Sequence, residues 1–230
     1  MAVIEQAARR GAPGTSLIPL TSGLITAATC PPAVTEAYVT LSTNLQFALL
    51  GTPGTVIMGV PIDDSVDGAQ VMANLALAMA GSGDAVLVVD CNLHQPSLHT
   101  AFGLSNERGL RHLFSGEWSD QPDLAQQGAL PNLRVLAAGP GNPGVLSHAA
   151  TNDIAEAIGR LKETADRLLL LGPPLMGYAD ALALAPNLDG LVLIVSAHRT
   201  RRKTLTRARE LLARANAPLI GAVLLDSPRP

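Results

Sequence analysis

The 230-residue chain is poor in aromatic residues, cysteine and lysine, and each scarcity excludes a class of function. Aromatic side chains make up 3% of the sequence, too few for the stacking platforms that hold single-stranded nucleic acid. A net charge of -3 also argues against binding to a phosphate backbone. Cys30 and Cys91 are too few for a disulfide scaffold or a zinc site, and indicate reduced thiols in a cytoplasmic protein. The sequence predicts no membrane span and no secretory signal.

Short apolar segments instead alternate with segments of helical spacing, and 47% of the residues are hydrophobic. Strands are predicted at 55–60, 85–90, 133–138, 167–171, 190–196 and 219–225. Helices are predicted at 69–81, 97–102, 110–114, 149–164, 180–184 and 202–216. This alternation predicts an α/β domain over 35–230, with a mostly parallel sheet flanked by helices on both faces. Residues 1–34 are predicted to form an extended or partner-binding arm, and Thr35 to cap a helix that runs to about residue 50.

The loop after the first predicted strand lacks the residues that bind nucleotide phosphates. Such a loop is normally glycine-rich and ends in Gly-Lys-Ser/Thr, at the carboxyl edge of the sheet where ligands bind. Here Gly68 stands at the lysine position and Ala69 at the hydroxyl position, while the cradle contains Asp63, Asp64 and Asp67. Three interpretations stay open for these carboxylates: a solvated turn, a site for a cation or basic partner, or a residual nucleotide site.

Several short motifs occur in unbroken order between Val34 and Ser227. They are Glu36-Ala37-Tyr38, Thr43-Asn44-Leu45-Gln46-Phe47, Ala73-Asn74-Leu75-Ala76, Val88-Val89-Asp90, Gly172-Pro173-Pro174 and Asp180-Ala181. With them the chain resembles the cytoplasmic P-loop domain of bacterial tyrosine kinases that regulate capsule and exopolysaccharide synthesis. These kinases are relatives of the MinD/ParA ATPases. The resemblance implies a P-loop NTPase-like fold of the MinD/ParA type.

The nucleotide-binding positions depart from that family's pattern. The resemblance places Asp90 at the first acid of an Asp-x-Asp-x-Arg motif, Asn92 at its second acid and His94 at its arginine. Leu171 stands at the acid of a third motif, and Leu225 at an adenine-contacting asparagine. Asp90 is interpreted as a loop anchor or cap rather than as a metal ligand.

Phosphoryl transfer depends on charge neutralisation by lysine, Mg²⁺ and backbone donors. The two lysines of the chain, Lys162 and Lys203, are both distant in sequence from the loop. The sequence therefore predicts no catalytic residue, no cofactor and no metal. A metal site built from the histidines is an alternative whose spacing matches no known pattern: His94, His99 and His112.

Two surfaces are candidates for interactions. The family's self-association motif keeps Glu36, but Val39 and Ser42 replace its arginines. The neighbouring Tyr38 and Leu41 are interpreted as core residues, with an interface as the alternative. The main concentration of basic residues begins with Arg199, Arg201 and Arg202. It is interpreted either as a solvated, salt-bridged helix face or as a docking surface for an acidic partner or anionic lipid.

These observations predict a non-catalytic, kinase-like cytoplasmic adaptor in exopolysaccharide, capsule or adhesin biosynthesis. Its expected partner is the cytoplasmic face of a membrane-anchored, Wzz-like polysaccharide co-polymerase or export complex, which would hold it at the inner membrane. A homo-oligomer is a further candidate assembly. Two alternatives are an ATP-dependent, autophosphorylating tyrosine kinase that regulates exopolysaccharide synthesis and a MinD/ParA-like positioning protein without its switch.

Overall fold

Seven parallel strands and one short antiparallel strand form the sheet. The computed structural model describes residues 15–19, 23–26, 30–49, 54–114, 124–149, 151–197 and 199–226. The strands are β1 (Thr15–Pro19), β2 (Thr55–Pro61), β3 (Val86–Asp90), β4 (Gln126–Gln127), β5 (Leu133–Leu136), β6 (Arg167–Leu171), β7 (Gly190–Ser196) and β8 (Leu219–Asp226). Their order is β1-β8-β7-β2-β6-β3-β5-β4, and only the β4–β5 pair is antiparallel.

The helices follow the predicted alternation. They are α1 (Pro32–Ala48), α2 (Gly68–Gly81), α3 (Leu98–Phe102), α4 (Val145–His148), α5 (Thr151–Lys162), α6 (Asp180–Leu184) and α7 (Arg202–Arg214), with 3₁₀ turns at Leu110–Phe114 and Ala185–Asn187. Every residue of β2, β3, β6 and β7 is buried, which requires cover on both faces of the sheet. The predicted α/β fold is confirmed. In the part of the chain that the structure describes, no helix is long and apolar enough to cross a membrane.

The start of the first helix and the first strand differ from the sequence prediction. Thr35 is not a cap, because α1 begins at Pro32 and Pro31 occupies the N-cap position. Proline suits the first helical turn, where its missing N–H has no partner to lose. In addition, Thr15–Pro19 pairs with β8 as a parallel strand, inside the segment predicted as an extended arm. Residues 1–14 lie outside the described residues. The role of this segment in binding a partner stays a prediction.

At the amino edge of the sheet, charged side chains link the starts of neighbouring strands and the segments beside them. The Arg167 Nε donates to Asp84 Oδ2 at 3.2 Å, and its Nη1 donates to Thr55 Oγ1 at 3.2 Å. Lys162 Nζ lies 3.4 Å from Asp189 Oδ2, the atom that also accepts from the Val56 amide. Lys162 is therefore committed to the amino edge, at the opposite end of the strands from the loops described next.

Candidate functional site

The loops that follow β2, β3 and β6 meet at the carboxyl edge of the sheet, because β6 lies between β2 and β3. They enclose a cavity of about 230 Å³. Six of the positions predicted from the sequence line it: Asp64, Asp67, Gly68, Ala69, Asn92 and Leu171. The other lining residues are Pro61, Val66, Gln95, Pro96, Ser97 and Pro174. Among the described residues, the lining includes two carboxylates and no lysine, arginine or histidine.

Two of the three aspartates of the loop, Asp63 and Asp67, accept hydrogen bonds from the loop and the helix that follows it. Asp63 Oδ1 accepts hydrogen bonds from the amide and the hydroxyl of Ser65, at 3.0 and 2.5 Å. Asp67 is the N-cap of α2, and its Oδ1 accepts from the Gln70 amide at 3.0 Å. A helix N-terminus attracts anions because its first N–H groups are unpaired. In this chain the carboxylate of Asp67 already takes that place, so the α2 terminus has less to offer a phosphate.

Gly68, at the lysine position, packs against the side chains of Pro61 and Leu171, which we call the wall. A Cβ atom at Gly68 would lie 2.4 Å from Pro61 Cγ and 3.0 Å from Leu171 Cδ1. Carbon atoms normally approach no closer than about 3.5 Å. Leu171, at the predicted acid position, is 1% exposed. The space from which a lysine would reach toward phosphates is therefore occupied by a proline ring and a leucine.

Asp90 ends β3 beneath the cavity without lining it. Its Oδ1 accepts from the Asn92 amide at 3.1 Å, and its Oδ2 accepts from the amides of Ser97 and Leu98, both at 2.9 Å. Burial raises the pKa of Asp90 to about 6, although these hydrogen bonds and the charge of His99 act in the opposite direction. Asp90 is completely buried and holds the loop that leads into α3, as expected for a loop anchor.

Arg111 is a basic residue near Asp90 that the sequence did not indicate. Its Nη1 donates to the Gly139 carbonyl and its Nη2 to the Leu93 carbonyl, which joins the loops after β3 and β5. Burial lowers the pKa of Arg111, while the charge of Asp90 raises it. Because both terminal nitrogens already serve carbonyl groups, Arg111 acts as a loop tie and is poorly placed to bind a phosphate. No motif signals this role.

His94, at the arginine position of the resemblance, belongs to a cluster that the sequence also did not predict. Its Nε2 lies 2.7 Å from Asp180 Oδ2, and its ring stacks on Tyr178 with centroids 3.8 Å apart and planes 16° apart. Neighbouring strands explain the pairing, because β3 and β6 are adjacent and the loops after them meet. Within the described residues no three His, Cys, Asp or Glu side chains gather as a metal site requires. His94, His99 and His112 therefore form no common centre.

The remaining predicted residues divide between the core and the surface. Tyr38 and Leu41 are 2% and 5% exposed, so they pack inside the chain and are not available as interface residues. Burial raises the pKa of Tyr38 to about 12. Leu225 is buried in β8 and does not line the cavity. Four candidates lie at the surface: Glu36, Arg199, Arg201 and Arg202.

Residues 23–26 are attached to α2 by hydrogen bonds with two of its side chains, Gln70 and the buried Asn74. Asn74, which is 1% exposed, accepts from the Ile25 amide at 2.9 Å through Oδ1, and its Nδ2 donates to the Gly23 carbonyl at 3.4 Å. Gln70, one turn earlier on α2, also donates to the Gly23 carbonyl. Asn74 appears in a motif of the sequence, but its contact with a segment about 50 positions earlier was not predicted.

Comparison with known proteins gives relatives in sequence and in structure. The chain is 30% identical over 189 residues to tyrosine-protein kinase YwqD of Bacillus subtilis, which covers 82% of this chain and 79% of YwqD. Its fold matches the chimeric protein CapA2B2 with a TM-score of 0.82, at 22% identity and over 98% of both chains. It also matches the septum site-determining protein MinD of Pyrococcus horikoshii with a TM-score of 0.60, at 21% identity, over 74% of this chain and 69% of MinD. No protein-family model matches the chain.

Proposed function

Since the chain belongs to the family of bacterial tyrosine-protein kinases, we propose that it is a member without catalytic activity, which serves as an adaptor of a membrane-bound polysaccharide co-polymerase or export complex. The resemblance to capsule and exopolysaccharide regulators suggests the pathway and the kind of partner. In this proposal the chain works in the cytoplasm and reaches the inner membrane through that partner.

The observation that carries the proposal is the wall beside Gly68. Catalysis in a P-loop site needs a lysine close to the β- and γ-phosphates. Here the first side-chain atom at that position would overlap Pro61 and touch Leu171. Neither lysine of the chain compensates, because Lys162 pairs with Asp189 at the amino edge and Lys203 lies on α7.

The charge of the cavity acts in the same direction. Asp64 and Asp67 line it, and none of its lining residues is basic. At a separation of about 4 Å and an effective dielectric constant of about 20, a carboxylate and one phosphate charge repel by roughly 4 kcal/mol. In relatives that bind ATP, charge-assisted hydrogen bonds of about 1.5–3 kcal/mol each work in favour of binding. We propose that in the present chain the repulsion of phosphate by carboxylates outweighs the attractive hydrogen bonds.

A second candidate is a working tyrosine kinase, and the identity to YwqD, a protein named as such a kinase, favours it. This candidate needs a cation that the described part of the cavity does not contain, so a second chain would have to supply a lysine or arginine. When the second chain is another copy of this one, the two candidates differ in what they predict for the purified protein. The adaptor does not bind Mg-ATP, and the kinase binds and hydrolyses it.

Titration calorimetry with Mg-ATP on the full chain tests the proposal, with YwqD as the positive control under the same conditions. We expect no measurable heat of binding to this chain at ATP concentrations that saturate the control. Micromolar binding, or phosphate transfer to tyrosine by highly purified protein, would refute the loss of catalysis. A parallel titration of Gly68→Lys with Ala69→Ser should remain negative, because Pro61 and Leu171 still occupy the lysine's path.

The adaptor role needs a separate test, because absence of ATP binding fits any inactive member. Affinity capture from cells that produce the tagged full chain should recover a membrane protein of the co-polymerase type. Recovery of a division or partition factor instead would favour the third candidate, a positioning protein without its switch. The exposed residue Glu36 lies on α1, and the exposed Arg201 is the N-cap of α7. Substituting each in turn indicates which side of the domain the partner contacts.

A further inference from the structure

The exposed side of α7 is strongly basic. The helix and its N-cap residue together have six exposed basic side chains, which we call the basic face. They are Arg201, Arg202, Lys203, Arg207, Arg209 and Arg214. The buried side of the helix is formed by Ala208 and Leu212. Glu210 is the acidic residue of the helix. The basic face therefore occupies most of the exposed side of α7, where Thr206, Glu210 and Ala213 are also exposed.

Within the residues that the structure describes, the cations of the basic face are not paired with carboxylates. The ion pairs there join other residues, and no side chain of the basic face makes a hydrogen bond or an ion pair. The first turn of α7 also contains no acidic residue, and Arg201 caps it without a side-chain hydrogen bond. Cations at a helix N-terminus are unfavourable because they meet the positive end of the helix dipole. Of the solvated, salt-bridged helix face considered from the sequence, the described residues show the solvent exposure without the salt bridges.

The rest of the chain has the opposite charge. Residues 199–214 contain seven of the 16 basic residues and one of the 19 acidic residues, a net charge of +6. The remaining residues contain nine basic and 18 acidic residues, a net charge of -9, which gives the overall -3. Such a dipolar distribution orients a protein at a negatively charged surface, because one side is attracted and the others are repelled.

We propose that the basic face of α7 binds the anionic phospholipid surface of a membrane directly. Its charges are spread over a convex helix face, which suits a flat array of headgroups better than a single acidic peptide. Arginine, which provides five of the six cations, forms paired hydrogen bonds with phosphate groups. The described residues with large exposed apolar side chains, Val39 and Phe47, lie on α1 and not on α7. The contact is therefore electrostatic, without insertion of apolar side chains.

Vesicle sedimentation of the full chain tests this proposal. The vesicles contain phosphatidylcholine either alone or in an equal mixture with phosphatidylglycerol. Each basic residue near an anionic bilayer increases binding by a factor of about five, so Arg202→Gln with Arg207→Gln should weaken it about 30-fold. The matched control, Arg108→Gln with Arg160→Gln, removes the same charge from exposed positions on other elements and should leave binding within about twofold. Thermal melting checks that both variants are folded.

The expected result is binding to the phosphatidylglycerol vesicles only, and its loss in about 1 M salt, where the Debye length is about 3 Å. Equal binding to neutral vesicles, or equal loss in both double variants, would overturn the proposal. So would absence of vesicle binding combined with binding to a polyglutamate peptide, which would assign the face to an acidic protein. The proposal does not depend on the adaptor function, because the basic face is separate from the cavity. A positive ATP titration therefore leaves it intact.

Discussion

The wall beside Gly68 can be probed with a single methyl group. In Gly68→Ala the new Cβ would lie 2.4 Å from Pro61 Cγ, more than 1 Å closer than the usual carbon–carbon contact of about 3.5 Å. The ring of Pro61 belongs to β2 and cannot rotate away, and Leu171 Cδ1 is only 3.0 Å from the same point. Relief therefore requires a shift of α2 or of the strand.

The size of the effect follows from two opposing contributions. Overpacking of a buried site typically costs about 1–3 kcal/mol. Replacement of glycine by alanine in a helix returns up to about 1 kcal/mol of backbone entropy. We expect Gly68→Ala to lower the free energy of unfolding by about 1–2 kcal/mol, so the crowding outweighs the gain in helix propensity.

Gly159→Ala is the matched control. Gly159 lies inside α5, and a Cβ atom there would have no neighbour within 4 Å. This variant should raise the free energy of unfolding by up to about 1 kcal/mol, because only the propensity term acts. Urea denaturation of both variants and the parent chain measures the difference. If Gly68→Ala were as stable as Gly159→Ala, the lysine position would be open, and the steric argument against nucleotide binding would fail.

Three further predictions concern buried polar residues. Burial raises the pKa of Asp90 to about 6 from an unfolded value of 3.8, so the bound proton stabilises the fold fully below about pH 3.8. This stability, on the order of 3 kcal/mol, is lost as the pH rises through 6. Urea denaturation across this range should show that Asp90→Asn removes the slope of the free energy of unfolding against pH. An unchanged slope would contradict the assignment to Asp90. Asn74→Ala should speed hydrogen exchange of the Ile25 amide, measured by mass spectrometry, because it removes the acceptor of that amide; unaltered exchange would mean that the arm is held elsewhere. Arg167→Met should cost about 2–3 kcal/mol in thermal or urea unfolding, because the partly buried Asp84 loses its cation and keeps the hydrogen bond from Gln46. The exposed Arg160→Met should cost less than about 1 kcal/mol, and similar losses would place Arg167 among ordinary surface residues.

The sequence was sufficient for the architecture because its signals are local. The uninterrupted apolar run of β6 and the helical segment of α2 each fix an element type, and their alternation fixes the parallel sheet. The sequence predictions were wrong or incomplete where local signals are weak or ambiguous. Thr35 looked like a helix cap, but the preceding Pro31 and Pro32 already start the helix. The five residues of β1 have no distinctive pattern, and only their pairing with β8 makes them a strand.

The candidate site was predictable in position but not in its contacts. The edge of the sheet and six of the lining positions follow from the order of strands and loops. The wall beside Gly68 did not, because it depends on how the loop folds Gly68 back onto Pro61 and on the approach of Leu171, more than 100 positions away. The ties made by Arg111 and the pair of His94 with Asp180 likewise join separate loops. Such contacts have no spacing rule in a single sequence.

The strand β1 also determines how the sheet ends. A free strand edge is a template for pairing with another molecule, and it promotes aggregation. Through Thr15–Pro19 the chain covers the β8 edge with its own backbone, while the other edge ends in the two-residue strand β4. A shortened protein that starts at residue 27 would expose the five residues of β8 that pair with β1, from Ala222 to Asp226. Light scattering should then detect self-association that the full chain does not show, because β1 no longer covers the β8 edge.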